Sequence, residues 1–257
     1  MKKNNLLTQN NIQSKYLNKK IIKKLLKNFQ KAINEVENNI EDPKKTLSIL
    51  KDDFKFNFKI KELEKFKKFK TIVLIGMGGS ILGSEAIYKF LKKKINKKII
   101  FFDDIDYQKI LNIKKKINLD KTLFLVISKS GNTVETLSNF LSLNIIKKNS
   151  KNIILITEKR NNVLYSISKK FNLFYVEHKH FLGGRYSVLS EVGIIPAYLV
   201  GLNITKLRSG IRKFINNQKR KALLKDSSTK LANLLNLKKI NNLIFLNYSP
   251  ELEKFLF

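Results

Sequence analysis

Two stretches decide the fold: TIVLIGMGGS at residues 71–80 and TLFLVISKSGNTVE at residues 122–135. Each is a short apolar run that ends in a turn rich in glycine or serine, and a helical pattern follows it. Three further runs repeat this rhythm, namely KIIFFDD (98–104), NIILIT (152–157) and LFYV (173–176). Continuously apolar strands that alternate with helices form parallel sheets covered on both faces. The sequence therefore predicts an α/β, three-layer sandwich with a five-stranded parallel sheet of flavodoxin-like type.

The segments on either side of the strands are mostly helical, and helices are predicted over 188–202, 205–217 and 228–237. Apolar residues recur every three or four positions over 17–40, which predicts an amphipathic helix, and 54–60 fit either a short strand or an extended connection. A sixth apolar run, NLIFLNYS at 242–249, has no helix after it, and we expect it to be the first strand of a second domain that is absent from this chain. The predicted divisions are a helical arm (1–69), the α/β domain (70–204) and a helical connection with that strand (205–257).

Lysine dominates the composition, with 52 Lys and Arg against 20 Asp and Glu and a formal net charge of +32. Only five of the 52 are arginine, the residue whose planar fork reads phosphates and bases. The lysines are spread through every predicted helix beside abundant Asn and Ile, as an AT-rich genome would encode. We interpret the charge as a composition bias and expect no specific nucleic-acid partner. A basic nucleic-acid-binding protein is the alternative, which a clustering of lysines on one surface would support.

Several classes of protein are excluded by what the sequence lacks. There is no Cys and there are only two His, so we predict no disulfide and no metal site, and we expect no cofactor. No run of 18 apolar residues occurs, and the basic N-terminus has no apolar segment behind it. We expect a cytoplasmic protein with no membrane partner.

The loop Gly76-Met77-Gly78-Gly79-Ser80 lies where ligands of open α/β sheets bind, at the carboxyl end of a strand. Glycines let the backbone approach a ligand, and the helix that follows offers unpaired N–H groups to an anion. A plain tight turn is one alternative and a dinucleotide loop is another. The dinucleotide fingerprint would need glycine where Ile81 stands, although Asp103 and Asp104 could serve as its ribose-binding acid.

The loop Ser128-Lys129-Ser130-Gly131-Asn132-Thr133 separates these hypotheses. It supplies three hydroxyl groups, a lysine and a glycine turn in front of another helix. This chemistry is typical of a phosphate cradle, because hydroxyl and backbone donors and a helix dipole all favour an anion. The order of Gly, Lys and Ser differs from that of a Walker loop. A solvated Ser/Thr turn is the alternative.

A third segment, HFLGGRYS at 180–187, holds Arg185 directly after a glycine pair. A fixed cation there suits a developing oxyanion, and an ion pair with Glu191 is the alternative. His178 and His180 flank a lysine in a polar stretch, and we expect both to be exposed loop residues.

These three segments together resemble the glucose-6-phosphate isomerase family. TIVLIGMGGSILGSE (71–85), FLVISKSGNTVETLSNF (124–140) and FLGGRYSVLSEVGIIPAYLVGLNI (181–204) are similar to its GIGGS, SKSGTT-xET and GGR-[FY]-S-V-x-[ST]-x-x-G motifs, in the same order. The third motif is the most specific, since SKSG-type loops alone indicate only a sugar isomerase (SIS) domain. The similarity covers residues 70 to 205 and implies the N-terminal half of such an enzyme, including its first SIS domain.

The resemblance implies roles for individual residues. Gly79 and Ser80 would face the sugar, and Arg185 would stabilise the enediolate formed during isomerisation. The 6-phosphate would be held by four residues of the second loop: Ser128, Lys129, Ser130 and Thr133. Asn132 departs from the family's usual Thr, so no role is carried over to its side chain.

The resemblance also implies a function and names what is missing for it. Family members interconvert glucose 6-phosphate and fructose 6-phosphate in glycolysis and gluconeogenesis, and the full-length form is expected to be a homodimer. The family's Glu base, in an ESLGK-like motif, and its His and C-terminal Lys would all follow the last residue of this chain. We interpret Glu135 as a loop-ordering residue and Glu191 as a helical one. A non-catalytic SIS module that binds sugar phosphates is the alternative.

Overall fold

The computed structural model describes residues 11–255, and one sheet organises that part of the chain. Its strands are β1 Thr71–Ile75, β2 Lys98–Phe102, β3 Thr122–Ile127, β4 Ile153–Thr157 and β5 Phe174–Glu177. They are parallel throughout and lie in the order β2-β1-β3-β4-β5. All six residues of the central strand β3 are buried, as expected when helices cover both faces. This is the strand order of flavodoxin-like folds, so the predicted fold class is confirmed.

Helices form the outer layers of the sandwich. The α-helices of the described residues are α1 Lys19–Glu41, α2 Ile60–Leu63, α3 Leu82–Leu91, α4 Tyr107–Lys116, α5 Val134–Ser142, α6 Val163–Lys170, α7 Glu191–Leu199, α8 Ile204–Arg208, α9 Ile211–Ile215 and α10 Gln218–Asn236. Successive strand residues face opposite sides of the sheet and so enter two separate cores. Ile72 and Leu74 share one core with α3 and α7, whereas Val73 and Ile75 share the other with α4, α5 and α6.

The helical arm packs against the connection at the other end of the chain. Asn18 and Asn233 exchange two hydrogen bonds, from Asn18 N to Asn233 Oδ1 (3.0 Å) and from Asn233 Nδ2 to Asn18 O (2.9 Å). Glu37 of α1 also pairs with Lys221 of α10 at 2.8 Å. The two segments that flank the α/β unit in sequence are therefore neighbours in space.

Arg208 connects this helical layer to residues 49–51, which precede the sheet in the chain. The side chain is buried, and it donates to the backbone oxygens of Leu189 (2.7 Å), Ile49 (2.9 Å) and Lys51 (2.7 Å). Its guanidinium also lies 5.4 Å from the ring centre of Phe54. Residues 54–59 pair with no strand of the described residues, so they form a connection, which is one of the two alternatives predicted for 54–60.

Several element boundaries differ from the sequence-based expectation. The helix expected over 188–202 is a 3₁₀ helix, Gly184–Leu189, followed by α7, and the helix expected over 205–217 is broken at Gly210, whose φ is +82°. The run at 242–249 forms no strand in this structure, and its place as the first strand of a second domain stays a prediction. That run has no sheet partner among the described residues and its apolar side chains are exposed; a 3₁₀ helix, Pro250–Phe255, follows it. A lone strand cannot satisfy its backbone groups, so the pattern alone does not make one.

Candidate sugar-phosphate site

A cavity of about 590 Å³ opens at the carboxyl ends of β1, β3 and β4. Its lining brings together the glycine loop after β1, the hydroxyl loop after β3, two charged residues after β4 and two residues of the segment at 180–184. The lining residues are Met77, Gly79, Ser80, Lys129, Ser130, Thr133, Glu158, Arg160, His180 and Gly184. Five of the residues to which the resemblance assigns a role therefore share one cavity.

The three hydroxyl groups of the second loop converge on one another. Ser128 Oγ lies 2.9 Å from Thr133 Oγ1 and 3.4 Å from Ser130 Oγ, and Ser130 Oγ lies 3.3 Å from Thr133 Oγ1. Ser128 is 1% exposed and forms the floor of this cluster, while the other two line the cavity. Thr133 is the N-cap of α5, but its side chain makes no capping hydrogen bond. The cluster therefore presents hydroxyl donors at a helix N-terminus, where an anion is favoured.

A glycine at 131 makes this loop geometry possible. Gly131 has a φ of +69°, and a Cβ there would lie 1.9 Å from the Asn162 side-chain oxygen. Its N–H donates to Ser128 Oγ at 3.1 Å, which fixes the innermost hydroxyl. Asn132 is exposed, and its side-chain oxygen accepts from Val163 N at 2.9 Å. The residue that departs from the family pattern thus joins the hydroxyl loop to the start of α6.

The two Gly-Gly motifs touch each other. A Cβ on Gly79 would lie 2.3 Å from the carbonyl carbon of Gly184, so only glycine allows this approach. Ser187 Oγ lies 2.7 Å from Gly184 O and 3.0 Å from Gly79 O, and it joins the two loops. Arg185 follows Gly184 in the chain and is exposed, but it is not among the residues that line the cavity. Glu191, which was the alternative ion-pair partner for Arg185, makes no such pair. Its carboxylate instead accepts a hydrogen bond from Asn57 N at 2.8 Å.

Two charged residues of the cavity, Glu158 and Arg160, were missed in the sequence. Glu158 Oε2 lies 3.0 Å from Arg160 Nε, and Oε1 lies 3.6 Å from Lys129 Nζ. Lys129 Nζ also donates to His180 O at 2.7 Å. Both missed residues follow β4, which pairs with β3, so their place at the carboxyl edge was the signal that could have found them.

Two buried titratable groups lie outside the cavity lining. His178 is 2% exposed, so the expectation of an exposed loop residue was wrong, whereas His180 is exposed as expected. Burial lowers the pKa of the His178 imidazole, because the charged form would lose its hydration. Burial likewise raises the pKa of the Glu191 carboxyl. Neither residue is placed to touch a ligand in this cavity.

A larger cavity, of about 1030 Å³, lies at the opposite edge of the sheet. Its lining includes eight lysines: Lys68, Lys70, Lys98, Lys116, Lys121, Lys147, Lys148 and Lys151. Lysines therefore do gather at one edge. Helix carboxyl ends reach this edge, as α4 does with Lys116, and their dipoles favour cations there without any ligand. The edge carries no loop that follows a strand, so we place the candidate site in the smaller cavity.

The dinucleotide alternative finds no support in the structure. Asp103 and Asp104 both pair with Lys109, at 3.1 and 2.9 Å, so neither acid is free for a ribose. Ile81, which stands where the fingerprint needs glycine, is fully buried. Within residues 11–255, no cluster of three or more His, Asp or Glu could hold a metal ion.

A five-stranded parallel sheet with two anion-competent loops at the carboxyl ends of its strands defines an α/β domain of the sugar isomerase type. A solved structure of hypothetical protein TT0462 from Thermus thermophilus has this fold, with a TM-score of 0.66 at 22% identity over 85% of this chain and 54% of that one. The family model described as "Phosphoglucose isomerase" matches residues 30–253. The chain therefore belongs to the phosphoglucose isomerase family.

Named relatives agree with this assignment. The chain is 38% identical over 176 residues to a "Probable glucose-6-phosphate isomerase" of Methanococcus maripaludis, covering 65% of this chain and 39% of that protein. It is 37% identical over 199 residues to a "Glucose-6-phosphate isomerase" of Borreliella afzelii, covering 71% and 36%. A solved glucose-6-phosphate isomerase from Chlamydia trachomatis gives a TM-score of 0.50 at 25% identity, over 66% of this chain and 33% of that one. The chain thus spans less than two fifths of the two named relatives.

None of the helices between residues 11 and 255 is long and apolar enough to cross a membrane.

Proposed function

We propose that this chain supplies the sugar-phosphate-binding part of a glucose-6-phosphate isomerase, with glucose 6-phosphate and fructose 6-phosphate as substrates. The observation that carries the proposal is the convergence of Ser128, Ser130 and Thr133 at the N-terminus of α5, in a cavity shared with the Gly79–Gly184 contact. The hydroxyl cluster would anchor the phosphate, and Arg185, which directly follows Gly184 in the chain, would supply the cation that the isomerisation needs.

The hydroxyl cluster is the part that would bind the phosphate. Ser130 and Thr133 line the cavity above the buried Ser128, and Lys129 lies on the same rim. A phosphate dianion accepts hydrogen bonds from hydroxyl and backbone donors and is attracted by the helix dipole and the ammonium. Gly79 and Ser80 would leave room for the sugar, because the glycine brings backbone rather than side chain to the cavity wall.

Arg185 would act on the reacting carbons. Aldose–ketose isomerisation removes a proton from C2 of the open-chain sugar and returns one to C1, through a negatively charged enediolate. Arg185 is exposed, directly follows the cavity-lining Gly184 and has no ion-pair partner among the described residues, so its charge would be available to that intermediate. We assign the base to none of the residues described here.

The proposal also includes a homodimer of the full-length form and a cytoplasmic location. The exposed apolar side chains at Leu243, Ile244, Phe245 and Leu246 support an association of this surface with more polypeptide, because contiguous exposed apolar residues mark interaction sites.

The test of the phosphate site is a titration of the folded chain with fructose 6-phosphate, followed by backbone amide chemical shifts. We expect shifts at residues 79–80 and 128–133. Ser130→Ala should weaken binding about fivefold or more, since it removes one hydrogen bond to a charged group. Ser142→Ala, at the exposed far end of α5, is the matched control and should bind as the parent does. If only amides of the helical arm shifted, the assignment of the phosphate site to residues 128–133 would be wrong.

A further inference from the structure

Glu158 places a negative charge inside the cavity that the proposed function assigns to a phosphate. Its side chain is 9% exposed, and the residue lines the cavity together with Ser130 and Thr133. The backbone holds it there, because Glu158 N donates to Lys129 O (3.2 Å) and Glu158 O accepts from Asn162 Nδ2 (3.0 Å). A carboxylate in this position repels an entering phosphate dianion unless its charge stays compensated.

The two cations around Glu158 are held differently. Arg160 Nε is the closer at 3.0 Å, and the backbone N–H of Arg160 also donates to Glu158 O at 3.0 Å. Lys129 Nζ is farther from the carboxylate at 3.6 Å and has its short contact, 2.7 Å, with His180 O instead. Lys129 can therefore turn to another anion while Glu158 keeps a partner.

We propose that Arg160 is the counter-ion that keeps Glu158 compensated, so that Lys129 is free to serve the phosphate. Arg160 and Glu158 are positioning residues in this arrangement, since they act on the ligand through Lys129 and through the net charge of the cavity. The inference rests on the proposed function, because it needs an anion in this cavity. It accounts for a buried acid in an anion site, which the hydroxyl cluster alone does not explain.

A double-mutant cycle tests the inference, with fructose 6-phosphate as the ligand and the full 257-residue chain as the protein. Arg160→Ala should lower the affinity about fivefold to tenfold, because it leaves an uncompensated carboxylate beside the phosphate. Glu158→Gln should bind at least as tightly as the parent. In the Glu158→Gln background, Arg160→Ala should change the affinity less than about twofold, since no charge remains to be compensated.

Two further variants separate this role from a general charge effect. Lys159→Ala removes one positive charge from the residue just before Arg160. Lys159 is exposed and lies outside the cavity lining, so this variant should bind fructose 6-phosphate as tightly as the parent. Arg160→Lys keeps a cation and should recover part of the affinity lost in Arg160→Ala. The Arg160 Nε–H resonance should persist when fructose 6-phosphate is added, because the pair with Glu158 survives binding.

The outcomes distinguish the inference from the function it rests on. An equal loss from Arg160→Ala in both backgrounds would mean that Arg160 contacts the phosphate directly, and this would overturn the inference while the site assignment stands. An unchanged affinity in Arg160→Ala would overturn it as well. A parent chain that binds no fructose 6-phosphate would overturn the proposed function and the inference together.

Discussion

Gly79 has no room for a side chain, because a Cβ would meet three backbone atoms of Gly184 at 2.3 to 2.6 Å. Gly79→Ala should therefore push the two Gly-Gly loops apart. We expect the free energy of unfolding to fall by about 1–3 kcal/mol, as in other overpacked sites. The displaced loop carries Arg185 and frames the cavity, so fructose 6-phosphate binding should weaken too. Urea unfolding and the amide titration measure the two effects.

The matched control is Gly78→Ala at the preceding residue. A Cβ there meets nothing within 4 Å, although the φ of +51° makes the substitution cost about 1–2 kcal/mol on its own. Gly78→Ala should therefore lose stability but keep its affinity for the ligand. If both variants bound fructose 6-phosphate as well as the parent, the contact between the loops would have no role in the site.

The burial of Glu191 should make the free energy of unfolding depend on pH, and the sign of that dependence follows from the direction of its pKa shift. Burial raises the pKa of its carboxyl, and the hydrogen bond from Asn57 N opposes this only in part. A native pKa above the unfolded value gives a stabilisation that is complete below the unfolded pKa and is lost as the pH rises through the native pKa. Glu191→Gln removes the ionisation. The unfolding free energy of the variant, relative to the parent, should therefore rise as the pH increases from the unfolded pKa to the native pKa of Glu191.

Urea unfolding at a series of pH values measures this difference. Glu135→Gln is the matched control, because it makes the same substitution at an exposed carboxylate on α5. A difference for Glu191→Gln that fell as the pH rose would mean that the ionised carboxylate is stabilised in the native protein, contrary to the argument from burial.

At the scale of the elements, the strands could be predicted because each lies under helices on both faces and so reads as a continuous apolar run. Helix ends were harder to predict, because a break depends on a backbone angle such as the φ of +82° at Gly210. The run at 242–249 shows the limit of the pattern, since a strand needs a neighbour as well as apolar residues. Its apolar side chains are exposed in this structure, where it pairs with no strand of the described residues.

The loops of the site could be predicted as anion-binding because their chemistry is local: hydroxyls, glycines and helix starts are visible in the sequence. Contacts between loops were not visible. Ser187 joins Gly79, which follows β1, to Gly184, which follows β5, and Glu158 after β4 lies near Lys129 after β3, so these contacts depend on the order of the strands in the sheet. The burial of His178 was missed for the same reason, because the polar residues around it suggested an exposed loop.

At the scale of the whole molecule, positive charge is present at both edges of the sheet but is used differently. At the carboxyl edge, Lys129 and Arg160 are held by Glu158 in a lined cavity. At the opposite edge, eight lysines surround a larger cavity where helix carboxyl ends favour cations. The absence of a specific nucleic-acid partner stays a prediction, and the lysine edge is where such a partner would be sought.

Catalysis is also a property of the whole molecule, and we expect the isolated 257-residue chain to have no appreciable isomerase activity. Glu158 is the only carboxylate that lines the cavity among the described residues, and cations engage both of its oxygens. General acid–base assistance is worth about 10²–10⁴-fold, which a site without a free base forfeits. The cavity is also open to solvent, so the reacting carbons of a bound sugar would be exposed to water.

A coupled assay with fructose 6-phosphate checks this expectation, with the Borreliella afzelii relative as the active control. The chain covers 36% of that relative, so the polypeptide corresponding to the remainder can be added in trans. Activity should appear only in the mixture and should be lost again with Arg185→Ala, because the enediolate then has no cation beside it. Robust turnover by the chain alone would instead make Glu158 the candidate base. Glu158→Gln would then abolish that turnover, and the counter-ion role of Arg160 would have to be given up with it.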